Sequence, residues 1–483
     1  MITPRICQVA VLGGGVAGLA TALNILDQTG KSGGNLRVTV FEADATPGGN
    51  LRTLHQDGWQ LEWGANGFLD SEPATLRLVR RLGLAERLLP SSDATRHRFL
   101  LVNGRLEEIP TSPKAFLKSG MLPPGAKLRM AGELFLPARR NLGRAAEEPA
   151  TDETIYEFGR RRLGREFAEV MLDPMVKGIF GGDARQLSLA AAFPRMVELE
   201  KNHGGLFRAM IALARRRKKG HKTDAGPSGT LTSFQGGMAD LVAALERTIG
   251  QSGRAEIRCD SPVETLTREQ DTWHVSGPGF SVGPFDAVVD ATPAHTAARH
   301  LTDVAPGTAA ELARIPFAPI AVVALGFDRE AVGHNLNSFG LLVPSREKRD
   351  ILGCLLTSSI FPGRAPDGKV LLRAMVGGAT NPTVMDLDDE HLANLTLSEL
   401  RPMLHLKGAP IMVRIIRHPR GIAQYLPGHL ALLRQVGQDL ERLPGLFLTG
   451  SSYRGIAVNA CVKEAEALGR NVTRYIEGLE GCP

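Results

Sequence analysis

The chain has 483 residues, of which 43% are apolar and 5% aromatic, with 57 Lys and Arg against 51 Asp and Glu. This length predicts two or three domains, and the composition indicates a soluble globular protein rather than a disordered or fibrous one. The cysteines are scattered, odd in number and without a CxxC pair: Cys7, Cys259, Cys354, Cys461 and Cys482. That pattern predicts a reducing compartment, with neither a disulfide framework nor a metal site. The N-terminus lacks the basic start and cleavage site of a signal peptide.

Residues 6–26, ICQVAVLGGGVAGLATALNIL, carry no charge and are long enough to cross a bilayer. Three consecutive glycines after a short apolar run would, however, break a membrane helix early. Gly13, Gly15 and Gly18 form GxGxxG between an apolar strand and a helix, and the following strand, LRVTVFEAD, ends in Glu42. This arrangement predicts a dinucleotide-binding turn, with the pyrophosphate at the helix N-terminus and Glu42 on the adenosine ribose.

A second glycine turn follows Glu42 in FEADATPGGNLRT, where Gly48 and Gly49 stand beside Arg52 and Thr53. It would bring another backbone segment close to the cofactor. The far C-terminal stretch, GLFLTGSSYRGIAVNACVKEAEALGRNV, is typical of a strand, a glycine-rich turn and a helix. With the first unit, these segments resemble FAD-containing amine oxidases and their relatives.

The middle of the chain is basic. Residues 111–222 contain 22 Lys and Arg against 12 Asp and Glu, a net charge of +10, which leaves −4 for the remainder. Acidic lipid, an acidic substrate or nucleic acid could each explain this excess, but no nucleic-acid recognition module is present, and no nucleic-acid partner is expected. Within it, HGGLFRAMIALARRRKKGHK places apolar residues at helical spacing before a cationic run: Leu206, Phe207, Met210, Ile211 and Ala214, then Arg215–Lys219. Two interpretations remain open, a helix lying in an anionic membrane interface and a packing helix with a solvated basic end.

Four further stretches narrow the resemblance. LEWGANGFLD, the long segment DETIYEFGRRRLGREFAEVMLDPMVKGIFGGDARQLSLAAAFP, LTSFQGGMADLVAAL and SSYRGIAVNAC occur in the same order as similar segments of protoporphyrinogen oxidases. The chain therefore resembles that family, including its coproporphyrinogen-oxidising branch, from residue 7 to about residue 473.

The resemblance implies an α/β fold in three parts. A Rossmann-like FAD-binding domain would comprise residues 1–85, 225–300 and 430–483. A mixed-sheet substrate domain would comprise residues 86–110 and 300–430, where alternating apolar runs such as SFGLLVP and KVLLRAMVGG predict strands. Residues 111–224 would form a helical, membrane-associating insertion. Within the second FAD segment, CDSPVETL is expected to be a strand.

The cofactor implied is noncovalent FAD, although Cys461 leaves a covalent link to be considered. In the family, the C-terminal segment closes over the flavin, and the helix that begins near Val458 would direct its dipole at the reduced flavin. Carried onto this sequence, the cofactor-binding residues are Gly13, Gly15, Val16, Ala17, Gly18, Glu42, Ala43, Gly49, Asn50, Leu51, Arg52, Gly64, Ala65, Val263, Thr292, Gly450, Ala457, Val458 and Asn459.

The family reaction removes six hydrogens from a porphyrinogen, with oxygen reoxidising the flavin to give hydrogen peroxide. It needs a flat apolar slot and a propionate anchor, and the sequence offers no Ser-His-Asp set or HExxH motif. By the resemblance, Asn66 is the catalytic candidate and Arg98 the propionate anchor, because a guanidinium presents a bidentate fork to a carboxylate. The slot would be lined by Phe339, Gly340, Leu342, Leu355, Met375 and Ile422.

Several alternatives remain open on sequence alone. Protoporphyrinogen IX is favoured over coproporphyrinogen III because the slot residues suit vinyl groups. Another amine-oxidase-fold enzyme is a second alternative, and a non-catalytic carrier on the same fold is a third. The partners considered with the resemblance are molecular oxygen, a membrane surface, a second copy of the chain and ferrochelatase as recipient of the product. The expected location is cytoplasmic, at the inner face of the cell membrane.

Overall fold

The computed structural model describes residues 5–29, 35–218, 229–479 and 482, and of residues 216–218 the backbone alone. The strands that these residues form are β1 Cys7–Leu12, β2 Leu36–Phe41, β3 Thr53–Gln56, β4 Trp59–Glu62, β5 Phe68–Leu69, β6 Leu88–Pro90, β7 Arg98–Val102, β8 Arg105–Glu108, β9 Leu231–Phe234, β10 Ala255–Arg258, β11 Thr265–Glu269, β12 Thr272–Gly277, β13 Phe280–Phe285, β14 Ala287–Asp290, β15 Phe317–Asp328, β16 Gly340–Leu342, β17 Ile351–Leu355, β18 Lys369–Gly377, β19 Met412–Ala423 and β20 Leu446–Leu448.

The helices are α1 Val16–Gln28, α2 Pro73–Arg81, α3 Pro113–Lys118, α4 Pro124–Ala131, α5 Ile155–Arg162, α6 Arg165–Phe167, α7 Asp173–Phe180, α8 Leu189–Ala192, α9 Pro194–His203, α10 Leu206–Lys218, α11 Ala239–Gly250, α12 Ala294–His300, α13 Pro306–Ala313, α14 Thr357–Ile360, α15 Asp389–Leu404, α16 His429–Leu440 and α17 Val458–Glu477. A short 3₁₀ turn, Gly132–Phe135, follows α4.

A five-stranded parallel sheet has the order β10-β2-β1-β14-β20. Its inner strands are apolar on both faces because helices α1, α11 and α17 cover one side, while the β11–β13 sheet and α12 cover the other. The strand order reverses at the β1–β14 pair, where Leu12 lies opposite Asp290. In open parallel sheets, ligands bind outside the carboxyl ends of the strands at such a reversal.

A seven-stranded mixed sheet has the order β19-β15-β18-β17-β16-β7-β8, and only its β16–β7 pair is parallel. Helix α15 and a buried apolar cluster cover one face. On the other face the residues in register along one row are Arg98, Gly340, Leu355 and Arg373. Side chains two residues apart on a strand share a face, so Leu342 and Met375 also belong to this side, which we call the slot face.

The described part of residues 111–224 is helical, as the sequence predicts. Its centre is a buried ion pair between Arg162 and Glu133, both 0% exposed. Glu133 also accepts hydrogen bonds from the backbone N–H groups of Leu206 (2.8 Å) and Phe207 (3.1 Å), which satisfies the first turn of α10. Among the described residues, no helix has the length and apolar character needed to cross a membrane.

Two sequence-based expectations are wrong. Cys7, in β1, and Cys482 form a disulfide, although the scattered cysteines argued against one. Most of CDSPVETL is a loop, because β10 ends at Arg258 and β11 begins at Thr265. β6 pairs with β9 in a small sheet with β5, while β7 and β8 belong to the seven-stranded sheet.

The five strands of the parallel sheet come from three separate parts of the chain, residues 7–41, 255–290 and 446–448. The domain boundaries themselves remain predictions. The segment from 219 to 228, which includes Lys219 of the cationic run and most of the following polar loop, lies outside the described residues.

Candidate functional site

The first glycine turn lies where β1 meets α1. Gly13 has φ +94°, a conformation open to glycine. A Cβ on Gly18 would overlap the Gly13 carbonyl oxygen, so this glycine lets the helix approach the turn. A Cβ on Gly15, by contrast, would meet nothing within 4 Å. Gly15 is the N-cap of α1, and the first N–H groups of a helix, here from Val16 to Gly18, lack intrahelical partners. Open space therefore lies in front of free donors, as an anionic pyrophosphate requires.

Glu42 follows β2 and is buried beside this turn. Its carboxylate accepts hydrogen bonds from the N–H groups of Gly14 (2.8 Å) and Asp44 (2.9 Å). A Cβ on Gly14 would lie 2.8 Å from Glu42 Oε2, so the middle glycine is needed for this close contact. The acid predicted to bind a ribose is thus fixed at the end of its strand by two backbone donors.

The second glycine turn packs on the first. Gly48 and Gly15 form an isolated bridge, and the Gly48 N–H donates to the Gly14 carbonyl over 2.9 Å. Arg52 forms an ion pair with Asp44 and lies over the Trp63 ring, 5.2 Å from its centroid. Of the other predicted residues here, Leu51 is buried, while Ala43, Gly49 and Asn50 are exposed. The structure therefore brings both glycine turns to one site.

A buried acid–base pair supports the far side of the nucleotide site. His300 directs Nδ1 at Asp290 Oδ2 (2.7 Å) and Nε2 at the Val263 carbonyl (2.9 Å). Burial alone would lower the pKa of His300, but Asp290 and the Val263 carbonyl outweigh it, and the net shift is upward. Asp290 Oδ1 also accepts from the backbone N–H of Thr292 (3.0 Å). Sequence reasoning selected Val263 and Thr292 but missed the pair that holds both.

The C-terminal segment reaches the same end of the parallel sheet. Gly450 follows β20 with φ +118°, and Ala457 is the N-cap of α17. The Asn459 side chain donates to the Leu69 carbonyl (2.8 Å) and accepts from Thr75 (2.7 Å). Its amide therefore serves the protein's own packing, and only the backbone N–H groups from Val458 onward remain for a ligand.

Residues 64–66 form a loop between β4 and β5, and this loop contacts both the second glycine turn and Arg373 of the seven-stranded sheet. A Cβ on Gly64 would lie 2.5 Å from the Asn50 carbonyl oxygen, so the loop packs tightly on the second glycine turn. Ala65 is half-buried and packs on the apolar core of the parallel sheet. Asn66 Oδ1 is buried without a hydrogen-bond partner among the described residues. An unsatisfied buried amide oxygen requires an explanation, and a ligand donor would provide one.

The slot face begins beside this loop. Leu342, Leu355, Met375 and Ile422 are half-buried. The residues next to Leu342, Leu355 and Met375 in the sequence are buried, because they point to the opposite face of the sheet. Arg98, at the far end of the row, is exposed, donates from Nε to the Thr95 carbonyl (3.3 Å) and lies 5.0 Å from the Phe339 ring centroid. Since neighbouring strands are about 4.8 Å apart, Arg98 lies about 14 Å from Arg373. The structure thus places the predicted slot residues in or beside one sheet and the predicted anchor three strands away from Arg373, at the start of β7.

Two residues beside the loop were missed. Arg373, in β18, donates to the carbonyls of Gly64 (2.7 Å) and Trp63 (3.3 Å), and His418, in β19, contacts the Trp63 carbonyl (3.1 Å). The available signal was Arg373 itself, a charge interrupting the apolar strand KVLLRAMVGG.

The geometry defines a nucleotide-binding site to which two glycine turns and a C-terminal helix contribute. Comparison with known proteins identifies the family. The model of the flavin containing amine oxidoreductase family matches residues 16–468, and the chain belongs to this family. Its cofactor is FAD, and the open space at Gly15, the free helix N–H groups and the orphaned Asn66 oxygen fit such a group. The carrier alternative is thereby set aside.

Named relatives extend along nearly the whole chain. Coproporphyrinogen III oxidase of Bacillus subtilis is 28% identical, over 97% of this chain and 98% of its own length. Mitochondrial protoporphyrinogen oxidase of Nicotiana tabacum is 31% identical, over 98% and 96%. A crystal structure from Exiguobacterium sp. 255-15, provisionally named a protoporphyrinogen oxidase, is similar with a TM-score of 0.81 at 26% identity, covering 97% of this chain and 99% of that one. The resemblance read from the sequence is confirmed.

Burial argues for noncovalent attachment of the cofactor. Cys461 lies in α17 and is buried, and burial raises the pKa of its thiol to about 12. Because the thiolate is the nucleophile, a thiol that is buried and protonated at neutral pH favours noncovalent FAD.

Proposed function

We propose that this enzyme oxidises protoporphyrinogen IX to protoporphyrin IX with oxygen as the electron acceptor. Removing six hydrogens takes three two-electron steps, so three O₂ are reduced to three H₂O₂. Bound FAD would supply the chemistry by accepting two electrons in each step. The names of the relatives support a porphyrinogen as the substrate class.

One observation carries the proposal: half-buried apolar side chains of the slot face lie between the loop of residues 64–66 and the exposed Arg98. Leu342, Leu355 and Met375 present apolar side chains to a flat macrocycle, and Arg98 stands at the edge where a propionate would leave the slot. Apolar walls beside the loop exclude water from the reacting position.

The groups nearest the loop suit binding and orientation more than acid–base catalysis. The unsatisfied Asn66 oxygen can accept a pyrrole N–H and so orient the macrocycle. Burial lowers the pKa of His418, with the Trp63 carbonyl only partly opposing it, so this imidazole is neutral at pH 7. A reaction driven by aromatisation of the product needs little more from the protein.

The basic side chains around Arg98 favour a substrate with two propionates over a substrate with four. Arg96 is paired with Asp93 (2.9 Å), and His97 contacts Glu108 (2.7 Å). Among the described residues, Arg98 has no carboxylate partner within ion-pair distance. A guanidinium that carries no carboxylate suits the propionate edge of protoporphyrinogen, whereas coproporphyrinogen carries propionates on every side.

Porphyrin fluorescence tests the proposal directly. Purified holoenzyme is offered protoporphyrinogen IX and coproporphyrinogen III in parallel, in air, against an autoxidation control without protein. A higher kcat/KM for protoporphyrinogen is expected. A higher value for coproporphyrinogen would reverse the substrate assignment, and a rate above autoxidation for neither would direct attention to amine substrates.

We also propose that the helical region attaches the enzyme to the inner face of the cell membrane. Most of the large apolar side chains that are exposed in the described chain lie in this region, and its surface bears Leu117, Leu128, Phe135, Met210 and Ile211. Arg208 of α10 donates to the Leu134 carbonyl (2.9 Å), which joins the helix to the turn carrying Phe135. Apolar residues beside a cationic run favour an anionic interface. A homodimer and handover to ferrochelatase belong to the same proposal and rest on the resemblance alone.

Replacing Phe135 and Ile211 together by serine should weaken cosedimentation with phosphatidylglycerol vesicles while leaving the fold intact, because both side chains are exposed. Burial of one such side chain contributes about 1.5–3 kcal/mol, so a loss of tenfold or more in vesicle affinity is expected on that estimate. Ile411→Ser is the matched control, since Ile411 is 50% exposed outside this region. Equal binding by all three proteins would contradict membrane attachment through this surface.

A further inference from the structure

Arg373 is a buried cation with few partners. It is 6% exposed, and its hydrogen bonds run from Nη2 to the carbonyls of Gly64 and Trp63. Its Nε is buried without a partner among the described residues. A buried charge is costly unless it is paired and fully hydrogen-bonded, so this arrangement requires an explanation beyond packing.

The nearest carboxylate is already engaged. Glu62 pairs with the guanidinium of Arg364 (3.3 Å) and accepts hydrogen bonds from Thr53 (2.8 Å) and the Met238 N–H (3.1 Å). Asp240 also acts on Arg364, but it is itself paired with Arg87 (3.0 Å). The two buried guanidinium groups therefore share Glu62, which leaves about one positive charge in excess. Burial also raises the pKa of Glu62, with Arg364 only partly opposing the rise, so any protonation of Glu62 enlarges the excess.

Other titratable groups around Arg373 do not compensate it. Burial lowers the pKa of His418, which leaves a neutral imidazole, and burial raises the pKa of Cys354 to about 12, which leaves a neutral thiol. Burial lowers the pKa of Arg373 to about 10, and the opposing effect of Glu62 is smaller. Arg373 thus remains charged at neutral pH, without a counter-ion of its own.

The excess charge lies where the cofactor segments meet the slot face. Gly64, which Arg373 contacts, packs on Asn50 of the second glycine turn, and the neighbouring Asn66 has an orphaned amide oxygen. Leu355 and Met375 flank Arg373 on the same face of the sheet. The positive charge at this junction can be balanced by negative charge that appears only during the reaction.

We propose that Arg373 is the counter-charge for reduced FAD and raises the reduction potential of the bound cofactor. Oxidised flavin is neutral, whereas two-electron reduction can place a negative charge on the ring system, and nearby protein charge tunes this equilibrium. The inference rests on FAD binding and is independent of which porphyrinogen is oxidised.

The test measures the midpoint potential of the flavin in the purified holoenzyme by dye equilibration. Arg373→Gln should lower the two-electron reduction equilibrium roughly tenfold, the effect of a unit charge about 10 Å away at an effective dielectric of about 20. A tenfold change corresponds to about 30 mV for two electrons. Arg414→Gln is the matched control, because Arg414 lies in the same row of the sheet, exposed and bonded to Gln56 (2.7 Å). A potential unchanged by Arg373→Gln would overturn the proposal.

Arg373→Lys keeps the inference testable if the glutamine variant does not fold. A buried lysine loses its proton at a lower pH than arginine, in surroundings that include Glu62, Arg364, His418 and Cys354. Its potential should match the wild type at low pH and fall below it as pH rises through the lysine pKa. A constant difference from the wild type across pH would show a structural role only. Neither readout involves a porphyrinogen, so a failed substrate assignment cannot imitate either result.

Discussion

Gly15 and Gly18 belong to one turn but face different surroundings. A methyl group on Gly15 would enter open space, and its φ of −71° suits any residue. A methyl group on Gly18 would overlap the Gly13 carbonyl. Replacement by alanine therefore distinguishes Gly15, which ligand binding requires, from Gly18, which the fold requires.

Gly15→Ala should leave apoprotein stability unchanged while weakening FAD binding, because the added methyl occupies the space for the pyrophosphate. Overpacking of about 1–3 kcal/mol corresponds to roughly 10–100-fold in Kd. Gly18→Ala should instead lower the Tm of the apoprotein. FAD titration and thermal melting of both variants provide the measurement, and a destabilised Gly15→Ala apoprotein would contradict the site.

Arg98→Ala should raise the KM for porphyrinogen by roughly 10–100-fold, the range of a lost hydrogen bond to a charged group at about 1.5–3 kcal/mol. FAD content should not change, because Arg98 lies about 14 Å by strand spacing from Arg373, the residue that contacts the loop at Gly64. Arg96→Ala is the matched control, since Arg96 is exposed and already paired with Asp93. An unaltered KM would remove Arg98 from the anchor role.

At the scale of elements, α12 ends in His300, which ties the carboxyl end of β14 to the loop before β11. Both imidazole nitrogens face acceptors, Asp290 and the Val263 carbonyl, so the charged form is favoured. The pKa of His300 is raised in the folded protein relative to an unfolded value of about 6.5. Its contribution to stability is complete below that value and is lost as pH rises through the folded pKa.

The Tm of the wild type should therefore fall relative to the Tm of His300→Gln as pH increases from about 6.5. Melting curves of the two apoproteins across this range provide the comparison. FAD affinity of the wild type should decline over the same interval, because the Val263 loop loses its support. A Tm difference that does not vary with pH would exclude the charged pair.

Local signals predicted the strand, glycine turn and helix at the start of the chain, which the structure contains. Glycine turns, their flanking strand and helix, and the terminal Glu42 lie within one stretch of chain, where spacing alone determines geometry. Arg373 and Gly64 lie 309 positions apart, and Arg364 pairs with Glu62 across a similar distance. Such buried charges depend on sheet register, which one sequence does not reveal. The strand expected over CDSPVETL does not form, because Pro262 has no N–H group and Asp260 adopts φ +50°, and neither suits a regular strand.

At the scale of the whole molecule, the Cys7–Cys482 disulfide joins β1 to the segment after α17 across 475 positions. Sequence spacing could not reveal it, because only the completed fold brings these cysteines within 5.8 Å between Cα atoms. Constraining the unfolded chain in this way contributes about 2–4 kcal/mol.

Cys482→Ser should accordingly lower the Tm under oxidising conditions and have no effect with excess dithiothreitol. Cys259→Ser is the control, since Cys259 is a free thiol. Equal Tm values for wild type and Cys482→Ser without reductant would show that the bond contributes nothing in solution.

The positions of β20 and α17 late in the sequence also affect how the chain folds during its synthesis. β20 forms the outer strand beside β14, and α17 packs along α1, where Gly469 meets Asn24. On the ribosome, residues 29–445 separate α1 from these partners, an interval of about 20–80 s at usual elongation rates. Throughout that interval the nascent chain holds a glycine turn without its covering helix. Cofactor loading is therefore expected as a late event, completed near or after release.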